Sequence, residues 1–161
     1  MLLKEDHLHL SLFKGLTEQQ RCLISPLLEP RLLEKQEVIF RQGDIADYFY
    51  ILLEGKVVIR YKPYDGPMLT IAKILPGGVF GWSAALGRSS YTSSAISLIE
   101  GKAYCIADRH LHTICDLPDG TGIIFLERLT GLIAQRLQQT HTEILNILIK
   151  GTNCYEEGRR R

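Results

Sequence analysis

The sequence predicts a mainly β domain: an antiparallel β-roll, that is, a jelly-roll-like double-stranded β-helix, with N-terminal helices and a long C-terminal helix. From Arg31 onward, short apolar runs alternate with glycine turns, a pattern typical of antiparallel sandwiches and barrels. The last third instead carries apolar residues at spacings of three and four, which favours a helix. We therefore divide one domain, 1–150, into N-terminal helices (1–30), β-roll (31–108) and C-terminal helices (109–150), followed by a disordered tail (151–161).

The composition is that of an ordinary globular domain. The chain has 161 residues, 45% hydrophobic and 23% charged, which is enough for a proper core. A formal net charge of +1 implies no strongly charged partner. The start of the chain carries Lys4, Glu5 and Asp6 where a signal peptide needs an apolar run, and no apolar stretch reaches the length of a membrane span. We expect a cytoplasmic protein that binds no membrane.

Local signals place the elements. Thr17, with Gln20 three residues later, matches a capping box and predicts a short helix through about Pro26. Asp65-Gly66 and two prolines predict a hairpin loop over 61–68. Strands are predicted at 38–40, 48–53, 57–59, 69–75, 95–98 and 102–107.

The stretch from Gly77 to Ala95 has the outline of a binding site. A glycine turn is followed by one helical turn of small residues, a polar turn and a strand rich in hydroxyl groups. Backbone N–H groups at the start of such a turn are unpaired, and they attract anions. The candidate ligand-binding residues are Gly81, Trp82, Ser83, Ala84, Ala85, Arg88, Thr92, Ser93 and Ser94.

These motifs resemble the cyclic-nucleotide-binding domain family, the sensor half of catabolite-activator-type regulators and of kinase regulatory subunits. Phe80-Gly81 matches the opening of the family's phosphate-binding cassette, and Leu12 to Leu16 is similar to its Leu-Phe-x-x-Leu opening. The glycine turns at Gly43 and Gly55, between strand-like runs, resemble the family most strongly and require positive φ. Gln36 stands where the family has a further glycine.

Two charged residues of the cassette are replaced. The family's glutamate, which accepts a ribose hydroxyl, falls on Trp82, and its arginine, which neutralises the cyclic phosphate, falls on Thr92. Loss of both contacts weakens binding by about 3 to 6 kcal/mol, or two to four decades in affinity. The resemblance thus implies cAMP or cGMP, or another small anionic ligand, while the substitutions argue against tight binding of cyclic nucleotides.

Three side chains near the cassette have open roles. Trp82 either stacks on a planar ligand or fills the core and closes the pocket. Arg88 and Tyr91 offer a displaced charge and a hydroxyl group to some other anion, although an arginine in a turn is more often simply solvated.

The long C-terminal helix is predicted to form a homodimer. It cannot bury its whole length on one small roll, and in the resembling family the corresponding helix pairs two subunits and covers the pocket. The alternative is a helix folded against its own roll. The predicted dimer contacts are Leu126, Leu129, Ile133, Leu137, Ile144 and Leu148. Only 151–161 follows, so we expect no helix-turn-helix unit and no DNA partner.

Neither catalysis nor metal binding is predicted. The sequence has no Walker loop, H-E-x-x-H or G-x-S-x-G motif, and its four cysteines have neither metal-site nor disulfide-framework spacing. Two H-x-H pairs, His7/His9 and His110/His112, lie outside the predicted strands, where a metal-binding roll does not place them.

Three hypotheses follow from the sequence. The first is a non-enzymatic regulatory module with atypical or lost nucleotide binding, in which a ligand shifts the C-terminal helix. The second is a genuine cAMP or cGMP receptor that binds the phosphate through backbone amides. The third is a module that binds a protein partner and whose pocket is closed by Trp82.

Overall fold

The computed structural model describes residues 10–159, apart from the side chains at 143, 144 and 147–159. The helices are α1 (Glu18–Ile24), α2 (Trp82–Ala85), α3 (Asp108–Cys115) and α4 (Thr121–Arg159), and 3-10 turns cover Ser11–Phe13 and Ser25–Leu27. The strands are β1 (Glu29–Leu33), β2 (Val38–Phe40), β3 (Tyr48–Glu54), β4 (Val57–Tyr61), β5 (Leu69–Ile74), β6 (Val79–Phe80), β7 (Ser94–Ser97) and β8 (Gly101–Ala107).

The strands form two four-stranded antiparallel sheets, so the predicted β-roll with flanking helices is confirmed. One sheet has the order β1-β8-β3-β6 and the other β2-β7-β4-β5. Consecutive strands often lie in different sheets, as in a jelly roll. The space between the sheets is the interior of the roll, and the helices cover the outer face of the first sheet.

Strand β3 separates two hydrophobic clusters because side chains alternate along a strand. Tyr50 and Leu52 point into the roll, where they join Phe40, Phe80 and other residues of the inner cluster. Phe49 and Ile51 point the other way, into an outer cluster formed with the helices. This alternation makes one strand the shared wall of both cores.

Backbone conformation explains the turns that hold the roll. Gly43 and Gly55 have φ of 92° and 101°, as their turns require, and Gln36 adopts a φ of 65° despite its side chain. A side chain at Gly55 would lie 2.9 Å from the Cα of Gly101, so the hairpin carrying β3 and β4 packs directly on the turn before β8. The hairpin loop predicted at 61–68 does connect β4 with β5.

The N-terminal region confirms the capping box, while one predicted boundary moves and one strand was not predicted. The Thr17 hydroxyl accepts the backbone N–H of Gln20, and the Gln20 side chain accepts that of Thr17. Strand β1 begins at Glu29, inside the predicted helical region, because Pro30 fits an edge strand. The two-residue strand β6 was missed, since so short a run has no measurable periodicity.

Helix α4 runs to Arg159, beyond the predicted end at residue 150 and into the predicted tail. No proline interrupts the chain there, and Gly151 alone costs only about 1 kcal/mol in a helix. The structure therefore has a helix over 151–159, where the sequence predicts a disordered tail.

The face of α4 that packs on the roll only partly matches the predicted dimer face. Leu129 is 5% exposed and lies in the outer cluster, so its assignment to a dimer contact is wrong: it faces its own roll. Ile133 also packs partly against that cluster. Leu126 and Leu137 are exposed and stay available to a second chain, while the side chains of Ile144 and Leu148 lie outside the described residues.

Replacement of Phe125 by alanine should destabilise the domain by about 3 to 5 kcal/mol, because this ring on α4 is fully buried beside Phe13. Urea denaturation followed by circular dichroism gives the free energy of unfolding. The matched control is Ile123→Ala on the same helix, where the side chain is 65% exposed and a change within about 0.5 kcal/mol is expected. Equal losses for both variants would show that α4 does not dock on the roll.

Candidate functional site

The candidate site is built on the connection between β6 and α2. Gly81, the residue before α2, has a φ of 72° and is buried. A Cβ atom at this position would lie 2.8 Å from Cδ2 of Tyr50 and 2.9 Å from the carbonyl oxygen of Tyr48. Only glycine satisfies both constraints, so it holds α2 tightly against β3.

Helix α2 has two sides. Ser83 and Ala84 are buried, whereas Trp82 and Ala85 are half-buried and pack against the outer cluster. The helix ends in an exposed turn in which the backbone N–H of Arg88 donates to the carbonyl of Ser83 at 2.9 Å. The Arg88 side chain is exposed on this turn.

Tyr91 fixes the segment that follows the turn. Its backbone N–H donates to the carbonyl of Asp44 at 2.9 Å, and its carbonyl accepts the N–H of Gly43 at 2.8 Å. Its phenol donates to the carbonyl of Tyr48 at 2.6 Å and accepts the N–H of Tyr48 at 3.1 Å. Both hydrogen-bonding functions of the phenol are therefore used inside the fold, and the predicted offer of its hydroxyl to an anion does not match this geometry.

Four aromatic rings fill the interior of the roll beside the site. The rings of Phe40 and Tyr91 stack with centroids 3.7 Å apart and planes at 13°, and Tyr50 stacks on Phe80 at 4.9 Å. Phe40 joins the two pairs, at 5.7 Å from Tyr50 and 6.3 Å from Phe80. All four residues are at most 6% exposed, so the rings form a continuous apolar block.

A polar cluster closes one end of this block. Arg31 donates from one guanidinium nitrogen to the Tyr50 hydroxyl at 3.1 Å and from another to Glu37 at 2.7 Å. Burial raises the pKa values of Tyr50 and Tyr91, and it raises that of the Cys105 thiol to about 11. At neutral pH these groups are therefore neutral, and the cysteine is a poor nucleophile.

A partly enclosed cavity of about 100 Å³ remains between the aromatic block, α2 and α4. Three α4 residues contribute to its wall: Arg136, Leu137 and Thr140. Arg136 also borders a neighbouring groove of about 290 Å³ between α4 and the turn at Gly77.

Five of the nine ligand-binding residues predicted from the sequence line the cavity. They are Gly81, Trp82, Ser83, Thr92 and Ser93. The other four predicted residues, Ala84, Ala85, Arg88 and Ser94, lie near it without lining it. The hydroxyl of Ser94 instead accepts the backbone N–H of Gln42 at 2.8 Å, which makes its role structural.

Arg136 was missed, although the sequence carries a signal for it. It lies between Ile133 and Leu137 in the apolar stripe of α4. A cation so close to an apolar stripe indicates a functional role. The charge in the cavity wall therefore comes from the C-terminal helix and not from the cassette turn that carries Arg88.

Within the described residues, no three His, Cys, Asp or Glu side chains are grouped in a way that could hold a metal ion. His110 is half-buried on α3 and His112 is exposed, while His7 and His9 lie outside the described residues. None of the described helices is long and apolar enough to cross a bilayer.

Comparison with known proteins identifies the family. The profile of the family "Cyclic nucleotide-binding domain" matches residues 30–117. The chain is 28% identical over 151 residues to the Cyclic AMP receptor protein of Thermus thermophilus, covering 93% of this chain and 65% of the relative. It is 29% identical over 108 residues to the cAMP-dependent protein kinase regulatory subunit of Dictyostelium discoideum, covering 65% of this chain and 33% of the relative.

A solved structure shows the same fold. The cyclic nucleotide-binding domain from Methylobacillus flagellatus superimposes with a TM-score of 0.78 at 18% identity, and the match covers 89% of this chain and 81% of that one. The chain thus spans from about a third to just under two thirds of the two curated relatives. With a family match over more than half of its length and this fold, the chain belongs to the cyclic nucleotide-binding domain family.

Proposed function

We propose that this chain is a non-enzymatic, ligand-sensing regulatory module that no longer recognises cyclic nucleotides in the usual way. The observation that carries the proposal is the block of four aromatic rings inside the roll, beside a cavity of only about 100 Å³. Pockets that enclose a drug-sized ligand measure roughly 300 to 1,000 Å³. A nucleotide therefore needs rearrangement of the rings before it can enter.

The chemistry of the cassette supports the same proposal. Thr92 stands in place of the phosphate-binding arginine and is exposed, and Trp82 stands in place of the glutamate. Neither residue supplies a charge, and Arg88 lies in an exposed turn and does not line the cavity. A cyclic phosphate would meet only neutral groups at the cassette, so the usual charge-assisted hydrogen bonds are missing.

Helix α4 is the element through which the module signals. Leu137 and Thr140 touch the cavity, while Leu129 packs on the roll about two turns earlier. A ligand that contacts Leu137 and Thr140 shifts α4 toward the helix position to which the ligand binds more tightly. The exposed residues on α4, Leu126 among them, then carry the change to a second copy of the chain, or to a protein partner, in an otherwise unchanged fold.

The chain should show no saturable heat when titrated with cAMP or cGMP up to about 1 mM by isothermal calorimetry. The reason is that the cavity is too small for a nucleotide and that both charged contacts of the cassette are missing. Emission of Trp82, the single tryptophan, provides a second readout in the same titration. The Thermus thermophilus relative serves as the positive control because its name describes it as a cyclic AMP receptor. A micromolar dissociation constant for this chain would contradict the proposal.

The proposed homodimer should weaken at least about tenfold on Leu126→Asp, because a carboxylate would be placed within an apolar helix contact. Leu126 is 40% exposed and lies outside both hydrophobic clusters, so the substitution spares the fold. Sedimentation equilibrium measures the mass against the 18.2 kDa of one chain. Glu127→Gln, at the exposed neighbouring position, is the control. Wild-type chain that is monomeric at about 100 µM would contradict the dimer.

A further inference from the structure

The outward face of the second sheet carries a groove that lies apart from the cavity beside α2. Strand β7 forms its floor with Ser94 and Ile96. Val38 of β2 is paired directly with Ile96 and therefore lies on the same face of the sheet. Met68, at the end of the loop between β4 and β5, contributes to the groove from the other side of β7. The groove has a volume of about 450 Å³.

The apolar side chains of this groove are accessible to solvent. Met68 is 51% exposed and Val38 is 38% exposed, while Ile96 is half-buried. On the first sheet, by contrast, the outward side chains of Phe49 and Ile51 are fully buried under the helices. Exposed apolar surface with a polar rim is typical of a site that contacts another molecule.

The rim of the groove is positively charged. Arg41 and Lys62 contribute to it, and none of the described residues that line it is acidic. The backbone N–H of Arg41 donates to the carboxylate of Asp44 at 2.8 Å, but within the described residues its guanidinium has neither a hydrogen bond nor an ion pair. The Lys62 ammonium donates to the carbonyl of Gly66, which is neutral. Both charges therefore lack a counter-ion in the described part of the chain.

Two further cations extend the positive charge along the same face. Arg60 is paired with Ser94, and Lys73 is paired with Val58, which is itself paired with Ile96. Residues directly opposite one another in a sheet share a face, so both cations project on the side of the groove. Neither forms an ion pair with any residue that the structure describes. This face therefore attracts a partner with several negative charges.

Hydrogen bonds tie the two sides of the groove together. The side-chain amide of Gln42 donates to the carbonyl of Lys62 at 3.1 Å and accepts the N–H of Lys62 at 2.8 Å. The hydroxyl of Ser94, on the floor, accepts the N–H of Gln42 at 2.8 Å. The segments after β2 and after β4 are thus joined across β7, and a preformed groove loses little free energy to ordering when a partner binds.

We propose that this groove docks a short acidic segment of a partner protein. An aliphatic side chain of the segment contacts Val38, Met68 and Ile96, and carboxylates on either side of it lie beside Arg41 and Lys62. A concave surface suits a chain segment better than it suits a flat bilayer, which favours a protein over a membrane as the occupant. Because the groove lies on the outer face of the second sheet, the proposal goes beyond the proposed function and does not depend on what the cavity binds.

The probe is the peptide acetyl-Glu-Asp-Leu-Asp-Glu-amide, added to the full chain with labelled methionine and isoleucine methyl groups and followed by NMR. The chain has two methionines, Met1 and Met68, so the signal of the groove is easily assigned. We expect saturable shifts of the Met68 and Ile96 methyl groups at peptide concentrations up to about 1 mM. The methyl groups of Ile24 and Ile114, in the outer cluster, are internal controls that should not shift.

Two comparisons test the apolar and the charged contact separately. Replacement of the leucine in the peptide by serine should weaken binding about tenfold, because the apolar contact is lost. Arg41→Glu should also weaken binding about tenfold, because repulsion replaces attraction at the rim. Arg109→Glu is the matched control: it changes the net charge equally, at an exposed position on α3 that does not line the groove, and less than about a twofold effect is expected.

Three results would overturn the proposal. The first is the absence of saturable shifts at Met68, or equal shifts of the control methyl groups. The second is equal weakening by Arg41→Glu and Arg109→Glu, since the attraction would then come from the net charge alone. The third is perturbation of Met68 by phosphatidylserine vesicles and not by the peptide, which would make this face a membrane site. None of these results bears on cyclic-nucleotide binding, which the calorimetric titration tests by itself.

Discussion

The stack of Phe40 on Tyr91 is the contact on which the rest of the site depends. The two rings belong to the chain segments before Gly43 and before Thr92, and the hydrogen bonds of the Tyr91 backbone with Gly43 and Asp44 hold the same segments together. The Tyr91 phenol then ties them to the Tyr48 backbone at the start of β3, in the other sheet. One side chain thus joins both sheets and fills part of the interior of the roll.

The same stacked rings also supply the packing of the roll interior. An unfilled apolar interior would forfeit dispersion contacts on every lining side chain, and removal of a buried aromatic side chain costs about 3 to 5 kcal/mol. In this chain the aromatic rings themselves supply those contacts. The packing of the roll interior therefore does not depend on a bound ligand, and we expect the proposed sensor to fold without one.

Some of these features could be predicted from the sequence and others could not. Strand alternation, the glycine turns and the capping box depend on residues close in the chain, so the fold class and the Thr17–Gln20 contact were predictable. The filling of the roll by Phe40 and Tyr91 depends on a pairing across 50 residues, which no local pattern reports. Arg136 differs in part: a cation beside the apolar stripe of α4 is visible in the sequence, but its place in the cavity wall depends on where α4 docks.

The small size of the cavity sets the energy available for regulation. A ligand that fits a cavity of about 100 Å³ and binds at roughly 0.1 to 1 mM gains about 4 to 5.5 kcal/mol in total. Complete reversal of a two-state equilibrium, from 1:99 to 99:1, needs about 5.5 kcal/mol of differential binding alone. Such a ligand can switch α4 only if the two helix positions already have similar free energies. Two copies joined through α4 would ease this requirement, because ligands in both pockets would act on one shared equilibrium.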